Sequence, residues 1–199
     1  MSLKSLIAGV LALGTATVAD ATVILTSNFD SLALSTGSYT TVSSIEGWTS
    51  TTNGIEIQNH AAGAPFSSPN LVELDTFANS SMFHTLSEGT YLVSYYYSPR
   101  PAIGAASNGI TLSIGSTALD TVTGTGGSDT MWTLRSVKFA TTGGALTFAA
   151  TGTSDSLGGY LDNITIAAVP DASTWILMIA GFGMVGIAAR RRALHTVVA

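Results

Sequence analysis

Between Thr22 and Ala168 the apolar residues recur at every second position, in short runs interrupted by turn-forming residues. The clearest run is TYLVSYYYS, residues 90–98. It puts Tyr91, Val93, Tyr95 and Tyr97 on one face and Tyr96 on the other. GITLSIG does the same for Ile110, Leu112 and Ile114. A period of two is that of a β-strand, whose successive side chains point to opposite faces. NLVELD, MWTLRSVKFA, GALTFAA and YLDNITI continue the series, and SPRPAIGAASNG, GTGGSD and GTSDSLGG between them have loop compositions. No 3.6-residue period competes with this pattern. Strands without intervening helices can bury their apolar faces only against other strands. The expected fold class is all-β, one antiparallel jelly-roll β-sandwich ectodomain over residues 22–168.

What holds such a domain together must be burial, because the chain of 199 residues has no cysteine. Disulfides, a thiolate nucleophile and Cys-ligated zinc are excluded with it. Only 10% of residues are charged, while 46% are hydrophobic and can supply a core. Between Thr22 and Ala168 ten carboxylates stand against Arg100, Arg135 and Lys138. That balance repels phosphate backbones, so no nucleic-acid partner is expected.

Both ends break the alternation. Lys4, the apolar stretch Leu6 to Leu13 and the Ala19-Asp20-Ala21 triplet have the three parts of a secretory signal peptide. Residues 1–21 are therefore read as a signal helix for the Sec translocon and signal peptidase, cut after Ala21. At the other end, Trp175 to Ala189 is fifteen residues without a charge, closed by Arg190, Arg191 and Arg192. A single transmembrane helix over about 173–189 reaches roughly 27 Å when counted from Ala172, a short span for a hydrocarbon core of about 30 Å. Arginines that snorkel would complete the span and keep residues 193–199 as a cytoplasmic tail.

The segment 169–192 carries Val169-Pro170-Asp171, Trp175, Gly181-Phe182-Gly183 and the Arg190–Arg192 cluster in order. It resembles the PEP-CTERM sorting domain of Gram-negative, exopolysaccharide-producing bacteria. It departs from that family's Val-Pro-Glu-Pro signature at Asp171 and Ala172. The resemblance implies exosortase as a partner and an inner-membrane-tethered precursor with its ectodomain in the periplasm. It also implies transfer to the outer surface or extracellular matrix. The short span with its glycine-rich centre suits a segment that is parked and then cut, while a permanent anchor remains the alternative. The order NFD (28–30), GW (47–48), VELD (72–75), GTYLVSYYYSPR (89–100) and GTSDSLGGYLDNITI (152–166) is similar to galactose-binding-like, choice-of-anchor jelly rolls.

Candidate sites follow from single residues. Alternation in YLDNITI sets Asp162 on the face of Ile164 and Ile166, where a carboxylate needs a cation or several donors. The resemblance implies a structural calcium held by acids of the first and last strands, Asp30 and Asp162, with Glu73 or Asp75 contributing. The alternative is that Asp162 accepts backbone N–H bonds or meets Arg135. For a ligand site the candidates are Trp48, Tyr96 and Arg100, although for Trp48 and Trp132 the core reading is preferred, since large aromatics dominate cores. No catalytic residue is expected: His60 and His84 lack metal spacing, and no G-x-S-x-G elbow is present. The expected function is a carbohydrate-interacting or structural component of the exopolysaccharide matrix. The alternatives are a membrane-anchored adhesion domain without sugar affinity and a hydrolase with an unrecognised site.

Overall fold

In the computed structural model, which describes residues 21–170, 179, 181–187 and 190, the alternating runs are strands. They are β1 (Thr22–Ser27), β2 (Ser38–Val42), β3 (Ser44–Ile45), β4 (Trp48–Ser50), β5 (Ile55–Asn59), β6 (Leu71–Glu73), β7 (Ser81–Ser98), β8 (Ile110–Ile114), β9 (Thr117–Val122), β10 (Thr133–Ala150) and β11 (Tyr160–Ala168). All pair antiparallel in one curled sheet of order β2-β5-β6-β11-β7-β10-β8-β9, with β1 added to β11 and the β3–β4 pair added to β7. The curl brings both ends of the sheet onto one core. Ile57, Val72 and Ile166 from one half share a cluster with Met82, Leu112 and Phe148 from the other.

The two longest strands, β7 and β10, run through both halves. In β7 the buried positions are Tyr91, Val93, Tyr95 and Tyr97 on one side of the bend, and Met82 and Leu86 on the other. β10 changes in the same way, from Phe139 to Leu146, Phe148 and Ala150. The register between the strands does not slip, since Phe139 faces Tyr91 and Phe148 faces Met82. The ribbon therefore turns its opposite face inward by twist alone. Gly143 and Gly144 accept the backbone this requires, at φ 105° and 140°.

The odd–even reading of residues 90–98 is realised: Tyr95 and Tyr97 are core, and Tyr96 faces away. The placing of Asp162 with Ile164 and Ile166 is corrected. A β-bulge between Asp162 and Thr165, with Asn163 at φ 46°, adds one residue to β11. Asp162 thereby stands opposite Tyr96 on the outer face, while Leu161, Ile164 and Ile166 enter the core.

Of the terminal readings, Ala19, Asp171, Trp175, Arg191 and Arg192 lie outside the described residues. Residues 181–187 are helical, with Phe182 exposed, and Arg190 is helical and exposed. Among the described residues no helix is long and apolar enough to cross a membrane; the span expected over 173–189 falls largely outside them. Val169 continues the pairing of β11 by donating its N–H to the Thr90 carbonyl, 2.8 Å, and Pro170 is exposed.

Candidate functional site: a polar pocket on the outer face of the sheet

β5 is buried along its whole length. Ile55 and Ile57 enter the core, so Glu56 and Gln58 must point to the opposite face. The same rule turns Glu73 outward on β6, with Val72 in the core. Register then sets Glu56 opposite Glu73, and Glu73 opposite Tyr160, in one row across three strands. Two carboxylates directly opposed repel one another, and nearby donors offset this. Gln58 Nε2 donates to Glu56 Oε1 at 2.7 Å and to Glu73 Oε2 at 2.5 Å. Arg100 Nη1 forms an ion pair with Glu73 Oε2, and the Gly158 N–H donates to Glu73 Oε1.

Loops close over this row. Asp75 accepts the N–H groups of Asp155 (2.9 Å) and Leu157 (3.3 Å), which fixes the 152–159 loop. Residue 158 must be glycine, because a Cβ there would lie 2.9 Å from the Asp75 Cβ. On the other side Asn108 is the strut of the Arg100 loop. Its Oδ1 accepts the Arg100 N–H at 2.9 Å, and its Nδ2 donates to the carbonyls of Ile103, Gly104 and Gly124. Arg100 so held lies over Tyr160, its Cζ 5.9 Å from the ring centroid.

The result is a cavity of about 330 Å³ whose walls include Glu56, Gln58, Arg100 and Ser156. Tyr39 and Phe77 stand at its rim, 63% and 80% exposed. Beneath the floor the Tyr160 hydroxyl lies within reach of the Gln58 amide, and both residues are buried. Burial pushes the Glu73 carboxyl above its ordinary range, against the pull of Arg100 and the Gly158 N–H. Burial also raises Glu56, with the Gln58 amide opposing. A larger hollow of about 640 Å³ beside the β8–β9 turn offers Glu88 as its only charged side chain and no aromatic ring.

Of the residues expected at a site, Arg100 lies in this pocket. Glu73 lies beneath it, fully buried, as the partner of Arg100. Trp48 is corrected from ligand platform to core: it is fully buried, packs edge-on against Phe148 and donates its indole N–H to Ser27 Oγ. Tyr96 faces outward, but Phe66 is stacked on its ring at 3.5 Å between centroids, so it offers no free face on that side. Glu56, Gln58, Tyr39, Phe77, Tyr160 and Asn108 escaped sequence reading. The signal for the first two was present, because alternation in IEIQN sets both opposite Ile55 and Ile57.

The expected calcium set does not assemble as named. Glu73 belongs to the pocket, and among the described residues no three His, Asp or Glu side chains group as a metal would need. Asp162 accepts the N–H groups of Ser67 (2.9 Å) and Asn163 (2.7 Å), which is the alternative stated for it; Arg135 pairs with Asp120 instead. Asp30 accepts the N–H of Asn70 at 2.9 Å and the side-chain amide of Asn28 at 2.8 Å. Burial raises both carboxyls, and the charge of Asp30 raises Asp162 further. Beside Asp30 the buried Asn70 Oδ1 has no partner. Two aspartates and an orphaned amide oxygen form a donor set of the hard-oxygen type that calcium takes, short of its full complement.

No family model matches the chain, and no curated protein matches it. Among solved structures it is similar to the K1 cleaved adhesin domain of Lys-gingipain from Porphyromonas gingivalis W83. The identity is 15% and the TM-score 0.53, over 67% of this chain and 100% of that one. The K2 cleaved adhesin domain of Lys-gingipain follows at 16% identity and TM-score 0.46, covering 60% and 88%. A family 35 carbohydrate binding module from Clostridium thermocellum follows at 12% and 0.41, covering 65% and 97%. The likeness to the K1 domain is one of fold: a curled antiparallel β-domain.

Proposed function

We propose that the chain is an exported surface protein whose jelly-roll β-sandwich binds carbohydrate in the Glu56–Gln58–Arg100 pocket. Residues 1–21 deliver it, and residues 169–192 pass it to exosortase from the inner membrane towards the surface and its exopolysaccharide. One observation carries the binding reading: Glu56 gives one carboxylate oxygen to Gln58 and keeps the other for the cavity, whose rim holds two exposed rings. Sugars present hydroxyl donors along their edges and apolar C–H faces above and below. Acceptors at the floor and aromatic faces at the rim answer both.

Catalysis is not part of the proposal. A glycosidase needs two carboxyls that reach the substrate, and Glu73 is fully buried with its oxygens engaged by Arg100, Gln58 and Gly158. A second reading, adhesion without sugar affinity, is favoured by the exposed Phe66, Met131 and Leu134 around Tyr96. A glycan array and a polysaccharide pull-down with residues 22–168 separate the two. We expect retention by the wild type and its loss in Phe77→Ala with Tyr39→Ala, both exposed positions at which the fold should be unaffected. Retention of no glycan by the folded wild type would leave adhesion as the function.

Calcium enters the proposal through Asp30, Asp162 and Asn70 alone, where it would stabilise the start of β1's following turn against β11. If it binds there, a chelator should lower the melting temperature, because a ligand of the folded state stabilises that state. An unchanged melting curve, with no calcium in the purified protein, would remove the metal from the proposal.

A further inference from the structure

The carboxylates of the site draw on its own donors. Gln58 Nε2 serves Glu56 and Glu73, and Arg100 Nη1 and the Gly158 N–H serve Glu73. The two carboxylates also fix the orientation of the amide, since only its NH₂ can donate to both. Gln58 Oε1 is thereby left to the Tyr160 hydroxyl, both buried beneath the cavity floor. Glu56 gives one oxygen to Gln58 and has the other for a ligand. Charge points the same way. Glu56 and Glu73 face a single guanidinium, and that guanidinium is paired with Glu73. Arg135, the next cation along the sheet, is paired with Asp120.

Resting on the carbohydrate reading above, we infer that the pocket selects amino sugars carrying a free ammonium group, takes neutral hexoses second, and rejects uronic acids. An ammonium can donate to the second Glu56 oxygen, and a charge-assisted bond of this kind is about twice as strong as a neutral one. A neutral hexose can donate a hydroxyl to the same acceptor. A uronate would bring a third carboxylate to a site whose one cation is occupied, and such like-charge placement is what excludes a competitor. Tyr39 and Phe77 would cover the ring faces in each case and so do not discriminate.

The test is calorimetric titration of the full chain, kept in detergent, with glucosamine, N-acetylglucosamine and galacturonate oligomers of equal length. Salt should be on the order of 0.15 M, to screen the acidic surface as a whole. We expect glucosamine oligomers to bind about tenfold or more tightly than the acetylated ones, and galacturonate not to bind. Glu56→Gln should weaken binding of the glucosamine oligomers more than that of the acetylated ones and so bring the first ratio near one. Galacturonate binding as tightly as the others would overturn the selectivity and leave sugar binding intact. An amine preference that survives Glu56→Gln would overturn it as well, by assigning the preference to the general surface charge. Binding of no oligomer would end both the inference and the reading beneath it. Should Glu56→Gln fail to fold, esterification of Glu56 in the wild type by a diazo reagent, which uses no amine, replaces it. Protection by glucosamine oligomers is expected, and equal labelling with and without them would overturn the inference.

Discussion

Gln58 separates two carboxylates that register has forced together, and no other residue type could do so from that position. A lysine would be buried with its charge, and an aliphatic chain would leave Glu56 and Glu73 facing one another. Gln58→Leu should therefore destabilise the protein by about 2–4 kcal/mol, the cost of leaving buried charge without its donor. Thermal unfolding checks this, and a change within about 0.5 kcal/mol, the range of ordinary surface substitutions, would mean that Arg100 alone holds the pair. At this scale the sequence is readable wherever alternation runs unbroken. Tyr95, Tyr96 and Tyr97 were assignable to faces, and Glu56 and Gln58 could have been. It misleads where one residue is inserted: Asn163 at φ 46° shifts Asp162 to the other face, and nothing in YLDNITI announces a bulge. Arg100 was legible as a site residue only because two prolines flank it. Its partner could not be named, since Glu73 is distant in sequence and meets it through loop packing.

At the level of elements, the edge strand β9 is tied down by a polar device. Asp120 accepts two bonds from Arg135 on β10, Nε at 3.0 Å and Nη2 at 2.6 Å, and one from the Tyr95 hydroxyl on β7 at 2.8 Å. These donors hold the Asp120 carboxyl below its ordinary value. The folded form therefore binds this proton less readily than the unfolded chain. The stability contributed is complete above the unfolded value and disappears as pH falls through the folded one. Asp120→Asn should cost about 1–3 kcal/mol at pH 7 and almost nothing near pH 2. Chemical denaturation of both proteins at the two pH values checks it, and a deficit equal at both would place the effect in packing. The strands themselves were legible from composition and alternation, as was the absence of helices between them. Their order was not, because β2, β5 and β6 join the sheet beside β11, which comes more than eighty residues after β6.

For the molecule as a whole, the termini and the site are distributed along a single strand. β1 pairs with β11 so that Thr22 lies opposite Ala168, and the signal and sorting segments proposed above would leave from the same corner. Signal cleavage after Ala21 would then free a strand already at its partner's side. If residues 169–192 act as a sorting signal, the mass of the protein should differ between cells with and without exosortase. Neutralising Arg190, Arg191 and Arg192 should impair retention of the precursor. Equal masses that both include residues 173–199 would make the segment a plain anchor. This part of the reading rests on sequence signals that direct other proteins, so it is legible without any fold.

The same strand ends elsewhere in the pocket. Tyr160 is the first residue of β11 and Ala168 the last, about 26 Å apart for nine extended residues. A glycan gripped at one end and a membrane holding the other would pull β11 lengthwise. Its hydrogen bonds to β7 on one flank and to β1 and β6 on the other would be strained in shear, all at once, instead of peeling one after another. Had the grip and the tether shared one end, the same tension would open the sheet like a zip. Where the tail stays as an anchor and the pocket holds a glycan, the placement of Tyr160 and Ala168 would make β11 a mooring line on a surface where fluid drags at whatever is bound.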